Sequence, residues 1–129
     1  MRVLAIDHGY ARAGTAISDP SGTIARPLGV IAPPDATEAA RLVAEQGAEL
    51  IVIGLPVSLD GSEGSQAAAA RAFATELAAL VAVEVETYDE RLTTRMATDT
   101  ARAGAAAPPD ALAAAHLLES FLTALKARG

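Results

Sequence analysis

The chain reads as an α/β protein, a mixed five-stranded sheet flanked by helices in the order β-β-β-α-β-α-β-α, with the helical region after the fifth strand counted once. Three observations predict it. Three strand-like runs come first, joined by short connections rich in Gly, Asp and Ser. After residue 35 the apolar period lengthens to that of a helix, and helices then alternate with two further strand-like runs. Two of the five runs, residues 2–7 and 50–53, are almost continuously apolar, as strands covered on both faces are.

Residues 2–7 (RVLAID) form a buried strand that ends on a carboxylate. Residues 13–18 (AGTAIS) form the second, and Ser21-Gly22 turns the chain into a third over 23–31. Such short connections predict an antiparallel meander. Asp35 with Glu38 is an N-cap signature, Leu42 and Val43 begin an apolar stripe, and Gly47 ends that helix. Residues 50–53 (LIVI) form a fourth strand, closed by Gly54-Leu55-Pro56. A polar loop, 58–65, leads into a helix in which Phe73, Leu77 and Leu80 recur at helical spacing. Residues 83–88 (VEVETY) alternate as a fifth strand and run into Asp89-Glu90-Arg91. A helix over about 93–102 stops at Gly104, and an Ala/Pro hinge, 105–109, precedes the last helix, 110–126, with Leu118, Leu122 and Leu125 facing the core.

At 129 residues, 51% hydrophobic and 20% charged, the chain is expected to form one globular domain over 1–129. It has no cysteine, which excludes disulfides and thiolate metal sites. The opening MRVLAIDHGY meets Asp7 too early for a signal peptide, and no apolar run approaches the ~20 residues of a membrane span. A cytoplasmic protein is therefore expected, with no membrane partner. Ten basic against sixteen acidic residues give a net charge of −6, which weighs against a nucleic-acid binder unless a local patch or bound divalent cations override it.

Three carboxylates stand where an α/β fold gathers ligands. Asp7 closes the first strand, at the sheet rim, although an Asp there also serves as a turn cap. Asp89 and Glu90 follow the fifth strand. If the first and fifth strands are parallel neighbours, their ends share one space, and because side chains alternate only one of the pair faces inward. Asp110 follows Pro108-Pro109 and reads equally as the ordinary N-cap of the last helix. Oxygen donors without Cys or a spaced His cluster suit hard cations, Mg²⁺ or Mn²⁺, and two such ions clamp the attacking and leaving oxygens of a phosphodiester. His8 merely adjoins Asp7, and His116 lies on an apolar helix as a packed or half-exposed residue. No GxxxxGK[ST] loop is present, which excludes a P-loop nucleotide site. A sugar-kinase or actin-like fold shares the topology but needs two such domains around a nucleotide.

The segments Asp7-His8-Gly9-Tyr10-Ala11-Arg12-Ala13-Gly14, Gly54-Leu55-Pro56, Asp60-Gly61 and Asp89-Glu90-Arg91-Leu92-Thr93-Thr94 closely resemble the YqgF family, also called RuvX. The tail from Asp110 through Leu118 resembles that family's last helix, so the likeness runs over essentially the whole chain. It implies a ribonuclease-H-like fold and a nuclease that matures the 5′ end of pre-16S rRNA or resolves Holliday junctions. By matching position it assigns Asp7, Glu90 and Asp110 as the catalytic, metal-binding set, with Asp7 bridging two ions and each of the others binding one. A metal-bound water would attack and leave a 5′-phosphate.

One departure from the family stands out. Many members carry basic residues before the last helix, whereas this chain has AGAAAPP over 103–109. Phosphate contacts dominate nucleic-acid affinity, so Arg12, Arg91, Arg95 and Arg102 are the candidates for a substitute patch, the alternative being that they pair with Asp99 and Glu90 or only solvate the surface. Thr93 and Thr94 either cap the following helix or touch a phosphate. The expected partner is structured RNA or branched DNA, and the expected state a monomer or homodimer, junction resolution requiring two sites about a two-fold axis. A non-catalytic RNA- or ribosome-binding module is the rival from another class; three retained carboxylates beside phosphate weigh against it.

Overall fold

The two apolar runs occupy the middle of the sheet. In the computed structural model, which describes residues 1–92 and 107–128, the strands are β1 (Val3–His8), β2 (Ala13–Ser18), β3 (Ala25–Ile31), β4 (Leu50–Leu55) and β5 (Glu84–Asp89). They form one sheet in the order β3-β2-β1-β4-β5. The first three pair antiparallel, as the short connections predict. β1–β4 and β4–β5 are parallel. β1 and β5 are thus not neighbours, which corrects the simplest arrangement of their carboxylates: β4 lies between them.

Among the described residues, three helices cover the sheet: α1 (Ala36–Gln46), α2 (Ser65–Leu80) and α3 (Pro109–Ala127). Leu4, Ile6, Ile51 and Ile53 point to one face and pack under Ala39 and Val43 of α1 and Phe73 and Leu77 of α2. Val3, Ala5, Leu50 and Val52 point to the other and pack under Ala114, Leu117, Leu118 and Phe121 of α3. β1 and β4 are buried on both sides, which is why their sequences do not alternate. β3, at the edge, does alternate.

Local signals explain the ends of α1. The Asp35 side chain accepts from the Thr37 N–H, and Gly47 takes the left-handed conformation (φ 64°) that closes the helix. Three elements differ from the sequence reading. β4 continues through Gly54 and Leu55 instead of stopping before them. Leu80 ends α2 half-exposed, outside the apolar stripe. α3 begins at Pro109, the favoured first position for proline, so Asp110 lies inside its first turn and is not the cap. The helix expected over 93–102 falls outside the described residues. Among the described residues, no helix is long and apolar enough to cross a membrane.

Candidate active site

Asp7 belongs to the α3 face, two residues on from Ala5 along β1. Its neighbours on both adjacent strands are glycines. The β1–β2 register places Gly14 opposite Asp7. The β1–β4 register aligns Ile6 with Ile53, and one step further sets Asp7 beside Gly54. Each glycine leaves room for one element of the site. A Cβ on Gly14 would lie 1.9 Å from the backbone carbonyl oxygen of Asp110, so α3 can start on this strand only because the side chain is missing. A Cβ on Gly54 would lie 2.5 Å from Glu90 Oε1 and 2.9 Å from its Cγ. Glu90 therefore crosses β4 over bare backbone to reach Asp7.

The two carboxyls are hydrogen-bonded to each other. Burial, first, and then the bond to Asp7 and the charges of Asp7 and Asp89 push Glu90 up to about 9. Glu90 holds the proton and donates it to the Asp7 carboxylate. Asp89 points elsewhere, as strand alternation requires. It receives Arg91 Nε at 2.9 Å and Nη2 at 2.6 Å on one oxygen, and this guanidinium holds its carboxyl below the usual range. Arg91 Nη1 also donates to the carbonyl oxygens of Ser58 and Leu59, 3.3 Å away in each case. Arg91 thus ties the β4–α2 loop to the residue beside Glu90. The loop is also braced internally, with Asp60 Oδ1 accepting from the Ser62 N–H at 2.9 Å and Gly61 at φ 88°.

Asp110 does not join the Asp7–Glu90 pair. Its backbone lies against Gly14, but its carboxylate meets Arg12 Nε at 2.6 Å, both side chains being well exposed. Among the described residues, no three His, Asp or Glu side chains converge on one point. Of the expected phosphate contacts, Arg12 is engaged with Asp110 and Arg91 with Asp89 and the loop. Thr93, Thr94, Arg95 and Arg102 lie outside the described residues. His8 turns to the opposite face and packs on Phe73, ring centroids 4.9 Å apart; burial lowers its pKa against the opposing pull of Asp7. His116 is partly buried, and its Nε2 has no hydrogen-bond partner among the described residues. The sequence reading missed Gly14 and Gly54 as site residues. Their signal was glycine within a strand, which marks close approach of another group.

The donor set suits a hard cation. A half-buried pair of carboxyls, with the proton held on Glu90, is an anionic site short of positive charge, and the start of α3 brings Asp110 within one strand of it.

Comparison with known proteins agrees with the fold and the motifs. T. thermophilus RuvC, solved in complex with a Holliday junction substrate, superposes with a TM-score of 0.68 over 98% of this chain and 96% of that one, at 14% identity. A relative from Pelotomaculum thermopropionicum is 41% identical over 95% of this chain and 86% of its own length. One from Chloroflexus aggregans is 41% identical over 95% of this chain and 93% of its own. Both carry the name "Putative pre-16S rRNA nuclease". The profile of the family described as RuvX, Holliday junction resolvase, matches residues 1–124. With that span and those identities, the chain belongs to the RuvX family.

Proposed function

We propose that this chain is a divalent-cation-dependent endonuclease, one catalytic domain over residues 1–129, that processes the 5′ end of pre-16S rRNA in the cytoplasm. The family and its relatives bear nuclease names. The observation that carries the reading is the proton-sharing pair Asp7–Glu90, assembled across Gly54 at the strand ends next to the start of α3.

Asp7, Glu90 and Asp110 are the residues that would hold Mg²⁺ or Mn²⁺, as two ions. When bound, such ions offset the charge of the phosphodiester and acidify a water for attack. The chain's own residues do the rest. Glu90 would hold the ion as a carboxylate, its proton passing to solvent. Asp110, released from Arg12, turns toward Asp7. Arg12, so freed, is available to a phosphate oxygen as a charge-assisted donor. Arg91 keeps its fork on Asp89 and holds the 58–65 loop beside the strand ends, where the loop can border the substrate.

Holliday-junction resolution is the second reading, favoured by the family description and the RuvC-like fold. It calls for two copies of the site about a two-fold axis, whereas rRNA trimming is open to a monomer or a homodimer.

The test is cleavage of labelled single-stranded RNA, a pre-rRNA-like 5′ leader and a four-way DNA junction, each with Mg²⁺, Mn²⁺ or EDTA, by wild type and Asp7→Asn. Metal-dependent cutting lost in the variant supports the nuclease, and the preferred substrate selects between the readings. Cutting that survives in EDTA or in Asp7→Asn overturns the assignment. No cutting of any substrate favours a binding module.

A further inference from the structure

Besides histidine the chain has four aromatic residues, two Tyr and two Phe. Three are used in packing. Phe73 and Phe121 are buried, and Tyr88 meets Phe121 edge-on with its hydroxyl 2.9 Å from Ser120 Oγ. Tyr10 alone stands outside, 58% exposed.

Tyr10 is three residues beyond Asp7, in the β1–β2 connection at the end of the sheet where the carboxyl pair lies. Its place is fixed twice. The turn that carries it is closed by the Gly9 N–H donating to the Arg12 carbonyl at 2.9 Å. Its hydroxyl lies 2.6 Å from the Oγ of Ser65, the first residue of α2. The ring is thus oriented from its polar tip, and more than half of the side chain remains open to solvent. A hydroxyl tether alone asks for no ring, and the ring does not serve the core.

We infer that Tyr10 is a stacking platform for an unpaired nucleobase of the strand whose phosphodiester the carboxylates address. This rests on the nuclease reading above. Every base has a π-face, so the contact adds affinity with little sequence preference and favours single-stranded or branched segments over paired ones. It also gives an acidic chain a source of affinity other than phosphate charge. In the bland alternative the Tyr10–Ser65 bond is only a latch between turn and helix.

The test compares binding of a labelled single-stranded oligonucleotide with that of an abasic strand carrying the same phosphates, by fluorescence anisotropy in EDTA. The full chain is used, with melting curves to check the fold of each variant. Wild type is expected to bind the base-bearing strand roughly tenfold more tightly. Tyr10→Ala erases the difference, and Tyr10→Phe, which keeps the ring without the tether, retains most of it. Because the chain has no tryptophan, Tyr10→Trp gives a direct readout: its emission is quenched by the base-bearing strand and not by the abasic one. Equal binding of both strands by wild type, no binding of either, or a difference that survives in Tyr10→Ala overturns the platform; the ring would then be a latch or a protein contact. Cleavage is scored separately. A base-dependent difference in a protein that cuts nothing with Mg²⁺ or Mn²⁺ sinks the nuclease reading and leaves the platform standing. Cutting with no effect of Tyr10 on base preference does the reverse.

Discussion

The Glu90 side chain lies directly over Gly54, so that a methyl group there would stand 2.5 Å from Oε1 and 2.9 Å from Cγ. The glycine is the gap through which a residue following the edge strand reaches the central one. Gly54→Ala is therefore expected to displace Glu90 from Asp7. Residues that orient metal ligands typically change affinity by about 10- to 100-fold, and Mn²⁺ binding measured by calorimetry should weaken by that order while circular dichroism stays native. Unchanged Mn²⁺ affinity would mean that Glu90 is not a ligand or that β4 yields without cost.

The proton on Glu90 ties stability to pH. In the unfolded chain this carboxyl titrates near 4.5, and in the folded one near 9. Between those values the folded state binds more protons. Its contribution is complete below the unfolded pKa and is lost as pH rises through the folded one. Without metal, wild type should thus lose stability from about pH 5 toward 9 relative to Glu90→Gln, which lacks the titration. Urea denaturation of both proteins across that range checks it, the difference removing the opposite contributions of Asp89 and of the other low-pKa carboxylates. Parallel curves would show that Glu90 ionises normally. Metal binding at neutral pH should also release a proton, visible as a buffer-dependent heat.

Much of the fold was legible, for identifiable reasons. VLAI and LIVI betray central strands because both faces are packed, and Asp35 and Gly47 bracket α1 because capping chemistry is local. Gly54 misled, since glycine normally weakens a strand and here it prolongs one. That β4 separates β1 from β5 is a long-range fact which no local pattern encodes. The choice of Glu90 over Asp89 followed from family resemblance; alternation showed only that one of the two must turn inward. The Arg12–Asp110 pair joins a turn to a distant helix, and nothing in either segment announces it.

Arg91 is a positioning residue for the β4–α2 loop. Arg91→Lys keeps the charge but loses the planar fork that meets Asp89 and two carbonyls at once. Amide exchange across residues 58–62 should quicken several-fold, with little change in global stability because Arg91→Lys keeps the charge beside Asp89. Exchange as slow as in wild type would assign the loop's order to the Asp60–Ser62 turn alone.

Arg12→Ala removes the partner of Asp110. The cost to folding should be under about 1 kcal/mol. If Arg12 passes to a phosphate on binding, the slope of log affinity against log salt should become shallower by about 0.7–0.9. An unaltered slope would confine Arg12 to its ion pair.

The placement of α3 also bears on the order of synthesis. β1 is made before α3, which among the described residues alone covers one face of β1, β2 and β4, and Asp110 arrives with that helix. Until α3 has been made, a growing chain thus carries Asp7 beside an open hydrophobic sheet. On the function proposed above, which needs Asp7, Glu90 and Asp110 together, the site could be completed only after α3 has docked on β1 and β2. If that function holds, nucleic acid near a ribosome still making this protein would meet an inert polypeptide.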